Sequence, residues 1–133
     1  MGTERSNRIK RALNVLVVDD DYFLQRTLVL YLNSFGHSGI VVENGQKALA
    51  CLFERNFDVI LLDVTMPVMD GLEVLSAIRS KEKLTKKHQL IIMVTGYAEA
   101  GDIDKLKKAG ADGYITKPIN PAQLESELER LIV

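Results

Sequence analysis

With Cys51 as its only cysteine, the 133-residue chain has no internal disulfide, which excludes the small cross-linked folds of secreted proteins and favours a reducing compartment. No apolar run approaches the roughly 20 residues of a membrane-spanning helix, so no membrane insertion is expected. The first residues carry Arg5, Arg8, Lys10 and Arg11 but lack the apolar stretch of a secretory leader. Gly2 with Ser6 fits the N-myristoylation pattern, a match short enough to arise by chance. An excess of one charge is also missing. Seventeen Lys and Arg stand against 18 Asp and Glu, a net charge of -1, and nothing draws the chain broadly toward nucleic acid. Nor is there an internal linker. What is left is one globular domain with 47% hydrophobic residues, expected in the cytoplasm and without direct nucleic-acid binding.

After a polar lead-in over residues 1–13, expected to be flexible, strand-like and helix-like segments alternate through residues 14–133. Apolar, β-branched runs predict strands near 14–18, 38–42, 57–62, 89–95 and 112–116. Leu24, Leu28, Tyr31, Leu32 and Phe35 recur at helical spacing between an Asp21 cap and Gly36. A second helix is predicted over Gln46–Arg55, with Ala48, Leu49, Leu52 and Phe53 inward and Cys51 buried among them. A third is predicted over Gly71–Arg79 with Val74, Leu75 and Ile78 inward, and a fourth, less anchored, over Glu99–Ala109 with Ile103 and Leu106. The last begins at Asn120 and Pro121 and carries Leu124, Leu128 and Leu131. Strict alternation predicts a five-stranded parallel sheet covered on both faces, a three-layer α/β sandwich.

The chemistry gathers at strand ends. Asp19 and Asp20 close the first strand and Asp63 the third, while Thr95-Gly96 follows the fourth and Lys117-Pro118 the fifth. Each alone reads as a turn residue, a cap or a solvated charge. Together they fall at the carboxyl edge of a parallel sheet, where such folds bind ligands. Three carboxylates in one pocket repel one another unless a cation offsets them. Oxygen-only ligands suit Mg2+, and Lys117 can reach a phosphoryl oxygen.

This set, with Met66-Pro67, Met69-Asp70-Gly71 and Ala109-Gly110-Ala111-Asp112-Gly113-Tyr114, resembles the receiver domain of two-component response regulators, chemotaxis regulators among them, over residues 14–132. The resemblance implies a flavodoxin-like sheet of order 2-1-3-4-5, an order the handful of motifs does not itself dictate. It implies that Asp63 accepts a phosphoryl group from a phosphohistidine on a sensor histidine kinase or histidine-phosphotransfer protein. Mg2+ would be held by Asp20 and Asp63, by Asp19 through water, and by the Thr65 carbonyl. Thr95 would turn to the phosphoryl group and Tyr114 inward behind it, switching a surface of the fourth helix, fifth strand and fifth helix that controls a downstream effector, a fused output domain or a homodimer. The Lys117-Pro118 bond is cis in many members. Thr65 and Tyr97 occupy positions that tune the phosphoryl lifetime, and neither supplies a base or amide for an attacking water, so slow to moderate autodephosphorylation is expected.

Three other readings compete. A haloacid-dehalogenase-type phosphatase needs a second Asp two residues after the nucleophile, where Thr65 stands. Three acids in the phosphate position would repel a flavin. A degenerate, interaction-only receiver would lack an acid or the lysine, and all are present. The stretch from Phe35 to His37 and the region from Gly101 to Ile119 lean toward receivers of hybrid histidine kinases.

Overall fold

A computed structural model describes residues 9–96 and 99–133; the Gly2–Ser6 pattern, Arg5, Arg8 and Tyr97 lie outside the described residues. Five strands, β1 Asn14–Val18, β2 Ser38–Val42, β3 Val59–Asp63, β4 Ile91–Thr95 and β5 Gly113–Thr116, form one parallel sheet in the order β2-β1-β3-β4-β5. The helices are α1 Tyr22–Ser34, α2 Gly45–Glu54, α3 Gly71–Thr85, α4 Ala100–Lys108 and α5 Pro121–Ile132.

Successive side chains on a strand point to opposite faces, so continuous apolar strands supply two cores at once. Val15, Val17, Val59, Leu61, Ile92, Val94 and Ile115 meet Leu28 and Leu32 of α1 and Leu124 and Leu128 of α5. Leu16, Val18, Ile60, Leu62, Ile91 and Met93 meet Ala48 of α2, Val74, Leu75 and Ile78 of α3, and Leu106 of α4. Burial of each large side chain contributes about 1.5–3 kcal/mol against the entropy of ordering the chain.

Local chemistry sets the helix limits. Asp21 Oδ1 accepts from the Phe23 and Leu24 amides at the start of α1, and Gly36 at φ +89° ends it. Asp70 and Glu73 form a reciprocal capping box on α3, and Asn120 caps α5 ahead of Pro121. Only Leu106 is buried on α4, and the Glu99 side chain makes no capping bond, consistent with the expected weak anchoring.

Several expectations need correction. The third helix runs to Thr85, not Arg79: the apolar stripe stops at Ile78, but helix-forming polar residues continue it until Lys86 turns left-handed at φ 60°. Phe53, expected inward, is 80% exposed; it lies past the buried stripe of α2, with the Lys81 ammonium over its ring. Cys51 is half-buried rather than buried. Strands β3, β4 and β5 begin one or two residues later than predicted, and β3 includes Asp63. The end of the lead-in is not loose: Ile9 and Leu13 are buried, the Leu13 amide donates to His37 Nδ1 at 3.0 Å, and Arg11 pairs with Asp58 at 2.8 Å. Burial holds the His37 imidazole below its usual pKa of 6.5.

Two backbone features frame the β3–α3 loop. A Cβ on Gly71 would overlap the Asp63 carbonyl oxygen, so this close approach admits only glycine. Val68 has φ +69°, and the Met69 amide donates across it to the Pro67 carbonyl at 2.8 Å. That is the positive-φ γ-turn, the rarer and more strained form, and a β-branched residue there costs about 1–2 kcal/mol. The Lys117–Pro118 peptide bond is cis.

Candidate functional site

Adjacent strands β1 and β3 bring Asp19, Asp20 and Asp63 together at their carboxyl ends, with a carboxylate oxygen of each within 4.8 Å of the others. Asp63 is 2% exposed and Asp19 1%, whereas Asp20 is open to solvent. Lys117, leaving β5 two strands away, places Nζ 2.9 Å from Asp63 Oδ1, and the Thr65 amide donates to the same oxygen at 3.2 Å. Asp19 Oδ1 accepts from the Asp21 amide at 2.8 Å; its Oδ2 is buried and accepts no hydrogen bond among the described residues.

Burial is the main reason that the Asp19 carboxyl titrates at about 6 rather than 3.8. The Asp21 amide pulls the value down, the charge on Asp63 pushes it up, Lys117 lowers it again and Asp20 raises it slightly. An orphaned, buried carboxylate oxygen beside two further acids is a donor set that fits a hard divalent cation, and Lys117 alone cannot offset three charges.

Thr95 ends β4, buried, one residue beyond the Val94 that pairs with Asp63, and its carbonyl accepts from the Lys117 amide at 2.8 Å. Tyr114 lies deeper, opposite Met93 on β5, half-buried against the face that holds α3 and α4. The structure therefore gathers Asp19, Asp20, Asp63, Lys117 and the Thr65 backbone around one point, sets Thr95 at the next strand end, and keeps Tyr114 apart along the strand.

Two supporting residues escape a reading of motifs. Gln25 Nε2 donates to the Asp19 carbonyl at 2.6 Å and pins the β1–α1 loop; its only signal was its place on the first turn of α1. Glu127 accepts from the Tyr114 amide at 2.9 Å and pairs with Arg130 at 2.8 Å; the Arg130 hydrogen bond holds its carboxyl below the usual range although burial opposes this.

A parallel sheet of order 2-1-3-4-5 with an acid-lined carboxyl edge defines a flavodoxin-like α/β domain. The chain belongs to the response regulator receiver domain family, whose model matches residues 15–129. It is 38% identical over 118 residues to the transcriptional regulatory protein ResD of Bacillus subtilis, covering 89% of this chain and 47% of ResD. The chain thus spans about half the length of that relative. The receiver domain of sensor histidine kinase PA1611 from Pseudomonas aeruginosa, solved with a magnesium ion coordinated in its active site cleft, is 30% identical with a TM-score of 0.80, over 92% of this chain and 98% of that one. The receiver domain of Saccharomyces cerevisiae Ssk1, solved with the histidine phosphotransfer protein Ypd1, is 27% identical with a TM-score of 0.84, over 94% and 92%. As a receiver domain of two-component phosphorelay signalling, this chain has the family's sheet and an acidic cluster at its carboxyl edge.

Proposed function

We propose that Asp63 is the phosphoacceptor and that the chain takes its phosphoryl group from a phosphohistidine on a sensor histidine kinase or phosphotransfer protein. The observation that carries this is the convergence of Lys117 Nζ, at 2.9 Å, and the carboxylates of Asp19 and Asp20 on a nearly buried Asp63. An oxygen of Asp63 bonds to phosphorus as the P–N bond to the donor imidazole breaks, and the imidazole keeps the electron pair and takes up a proton. Asp19, Asp20, Asp63 and the Thr65 carbonyl would hold Mg2+. When bound, Mg2+ supplies positive charge that offsets the phosphoryl oxygens and the acids. Lys117 releases Asp63 Oδ1 to pair with a phosphoryl oxygen. The Thr95 hydroxyl donates to another, and Gly96 leaves it room.

Tyr114 then follows Thr95 inward and alters the surface of α4, β5 and α5, which a downstream effector, an output domain or a second copy reads. Cytoplasmic action fits a chain in which no described helix is long and apolar enough to cross a membrane. The test is intact-protein mass after incubation with acetyl phosphate, with and without Mg2+, for wild type and Asp63→Asn. One added phosphoryl group is expected only in wild type with Mg2+. No gain in wild type, or equal gain in Asp63→Asn, overturns the assignment and leaves an interaction-only module.

A further inference from the structure

Helices α2 and α3 cover the same face of the sheet and run the same way, and they draw together at their starts. A Cβ on Gly45 would lie 2.6 Å from Val74 Cγ2, so glycine permits the close approach there. Toward their ends the two helices flank a cavity of about 880 Å3. Leu49, Leu52 and Phe53 of α2, Ala77 and Ile78 of α3, and Phe57 give it an apolar lining. The loops that precede β3 and β4 bound it at the pole, tied to each other where Gln89 Nε2 donates to the Phe57 carbonyl at 3.2 Å. Positive charge is held around this lining. The Lys81 ammonium stands 4.8 Å from the centre of the Phe53 ring and the Arg55 guanidinium 5.6 Å from that of Phe57, so each cation rests on a ring that lines the cavity. Lys87 adds a third, and none of the three pairs with a carboxylate among the described residues. Glu82 is the one acid among the described lining residues, and its carboxylate is already committed to Arg79 at 2.8 Å and to the Gln89 amide at 2.6 Å. His88 is likewise turned to Asp112, 2.6 Å from Nε2. An apolar interior with an unopposed cationic rim results, and Phe53, which the fold itself leaves in water, forms part of its wall.

We infer that the cleft between the ends of α2 and α3 binds a small organic anion with an apolar body, in class an aromatic or acyl carboxylate or sulfonate. The body lies against Leu52, Phe57 and Ile78, and the acid group pairs with Lys81 and Arg55 at the rim. The cavity has the volume of sites that take a small organic molecule. A second copy docked by two-fold symmetry would set the cations against their own counterparts, and a polyanion would satisfy them while leaving the apolar lining uncovered. The cleft stands beside the start of β3, at the pole away from Asp63, so its occupancy is independent of the acids.

The test uses the full chain with two probes: anilinonaphthalene sulfonate, an aromatic anion, and phenylnaphthylamine, the same ring system without the sulfonate. Fluorescence titration is expected to show one site per chain for the sulfonate, with a Kd of about 10–100 μM, and binding of the neutral probe about tenfold weaker. Amide shifts caused by the sulfonate should centre on residues 49–57 and 77–89. In the double variant Arg55→Gln with Lys81→Gln, affinity for the sulfonate should fall about tenfold while that for the neutral probe is kept, and the melting temperature should stay within a few degrees of wild type. Ala77→Trp, which fills the cleft, should lose both probes. Absence of saturable binding, shifts centred elsewhere, equal affinity for the two probes, or unchanged sulfonate binding to the double variant each overturns the inference. Displacement of the sulfonate by polyglutamate also overturns it, by making the rim a surface for acidic polymers. So does a wild-type dimer in sedimentation that the double variant loses, which would make the cleft a self-interface.

Discussion

Asp19 stores unfavourable free energy in the folded chain. Its carboxyl titrates at about 6 when folded and near 3.8 when unfolded. The unfolded chain therefore gives up this proton first as pH rises, and the folded state loses stability from about pH 4 through 6, by roughly 3 kcal/mol at neutrality. Asn at this position keeps an Oδ1 for the Asp21 amide and removes the charge. Asp19→Asn should raise the melting temperature of the metal-free protein at pH 7.5 by several degrees, and the gain should vanish below pH 4; calorimetry across pH checks both. The same variant should bind Mg2+ at least tenfold more weakly in titration calorimetry, since it removes the one buried carboxylate oxygen without a partner among the described residues. The residues that mark the site were legible because type and position coincide: acids and a lysine directly after apolar strands. Gln25 was not, because it acts on a backbone carbonyl and leaves no mark in a motif.

The second half of α3 is held by polar contacts. Beyond Ile78 it buries no large apolar side chain; Arg79 instead donates to Asp112 and Glu82 at 2.8 Å, to the Gly110 carbonyl at 3.0 Å and to the Gln89 carbonyl at 2.8 Å. Asp112 in turn accepts from the Ile91 amide at 2.8 Å and lies 2.6 Å from His88 Nε2. One guanidinium therefore ties the end of α3 to the start of β4 and the turn before β5. Arg79→Ala should cost about 2–4 kcal/mol in urea denaturation and speed amide exchange over residues 80–85, whereas Lys, which cannot fork between carboxylate and carbonyls, should restore only a part. The helices whose limits rest on caps, α1 at Asp21 and α5 at Asn120, were read correctly. The α3 limit was missed because periodicity records only apolar burial, and the Gly110 and Asp112 partners of Arg79 come from 31 and 33 residues away in sequence. Phe53 misled for the related reason that a large apolar residue beside a buried stripe reads as part of it.

For the molecule as a whole, parallel layering followed from strands apolar at every position, which need cover on both faces, and the carboxyl-edge site followed from that layering. The strand order came through resemblance, because crossover lengths alone permit others. Cation binding couples the site to the whole fold: a ligand bound only by the native state stabilises it by RT ln(1 + [L]/Kd), about 2.7 kcal/mol at a hundredfold excess over Kd. Mg2+ should thus raise the melting temperature of wild type in a concentration-dependent way and leave Asp63→Asn nearly unmoved, as calorimetry at several Mg2+ concentrations would show. The path of α5 has a separate consequence. The helix descends beside β5 from Gln123, which accepts from the Thr116 amide, to Arg130, which donates to the Asp112 carbonyl, so Val133 emerges at the pole where β1 begins. Polypeptide joined at either Asn14 or Val133 would leave from the end of the sheet opposite Asp63. The domain is built as a cassette: recombination can splice it in frame beside unrelated folded units while its reacting pole stays clear, and new wiring then needs no change in its chemistry.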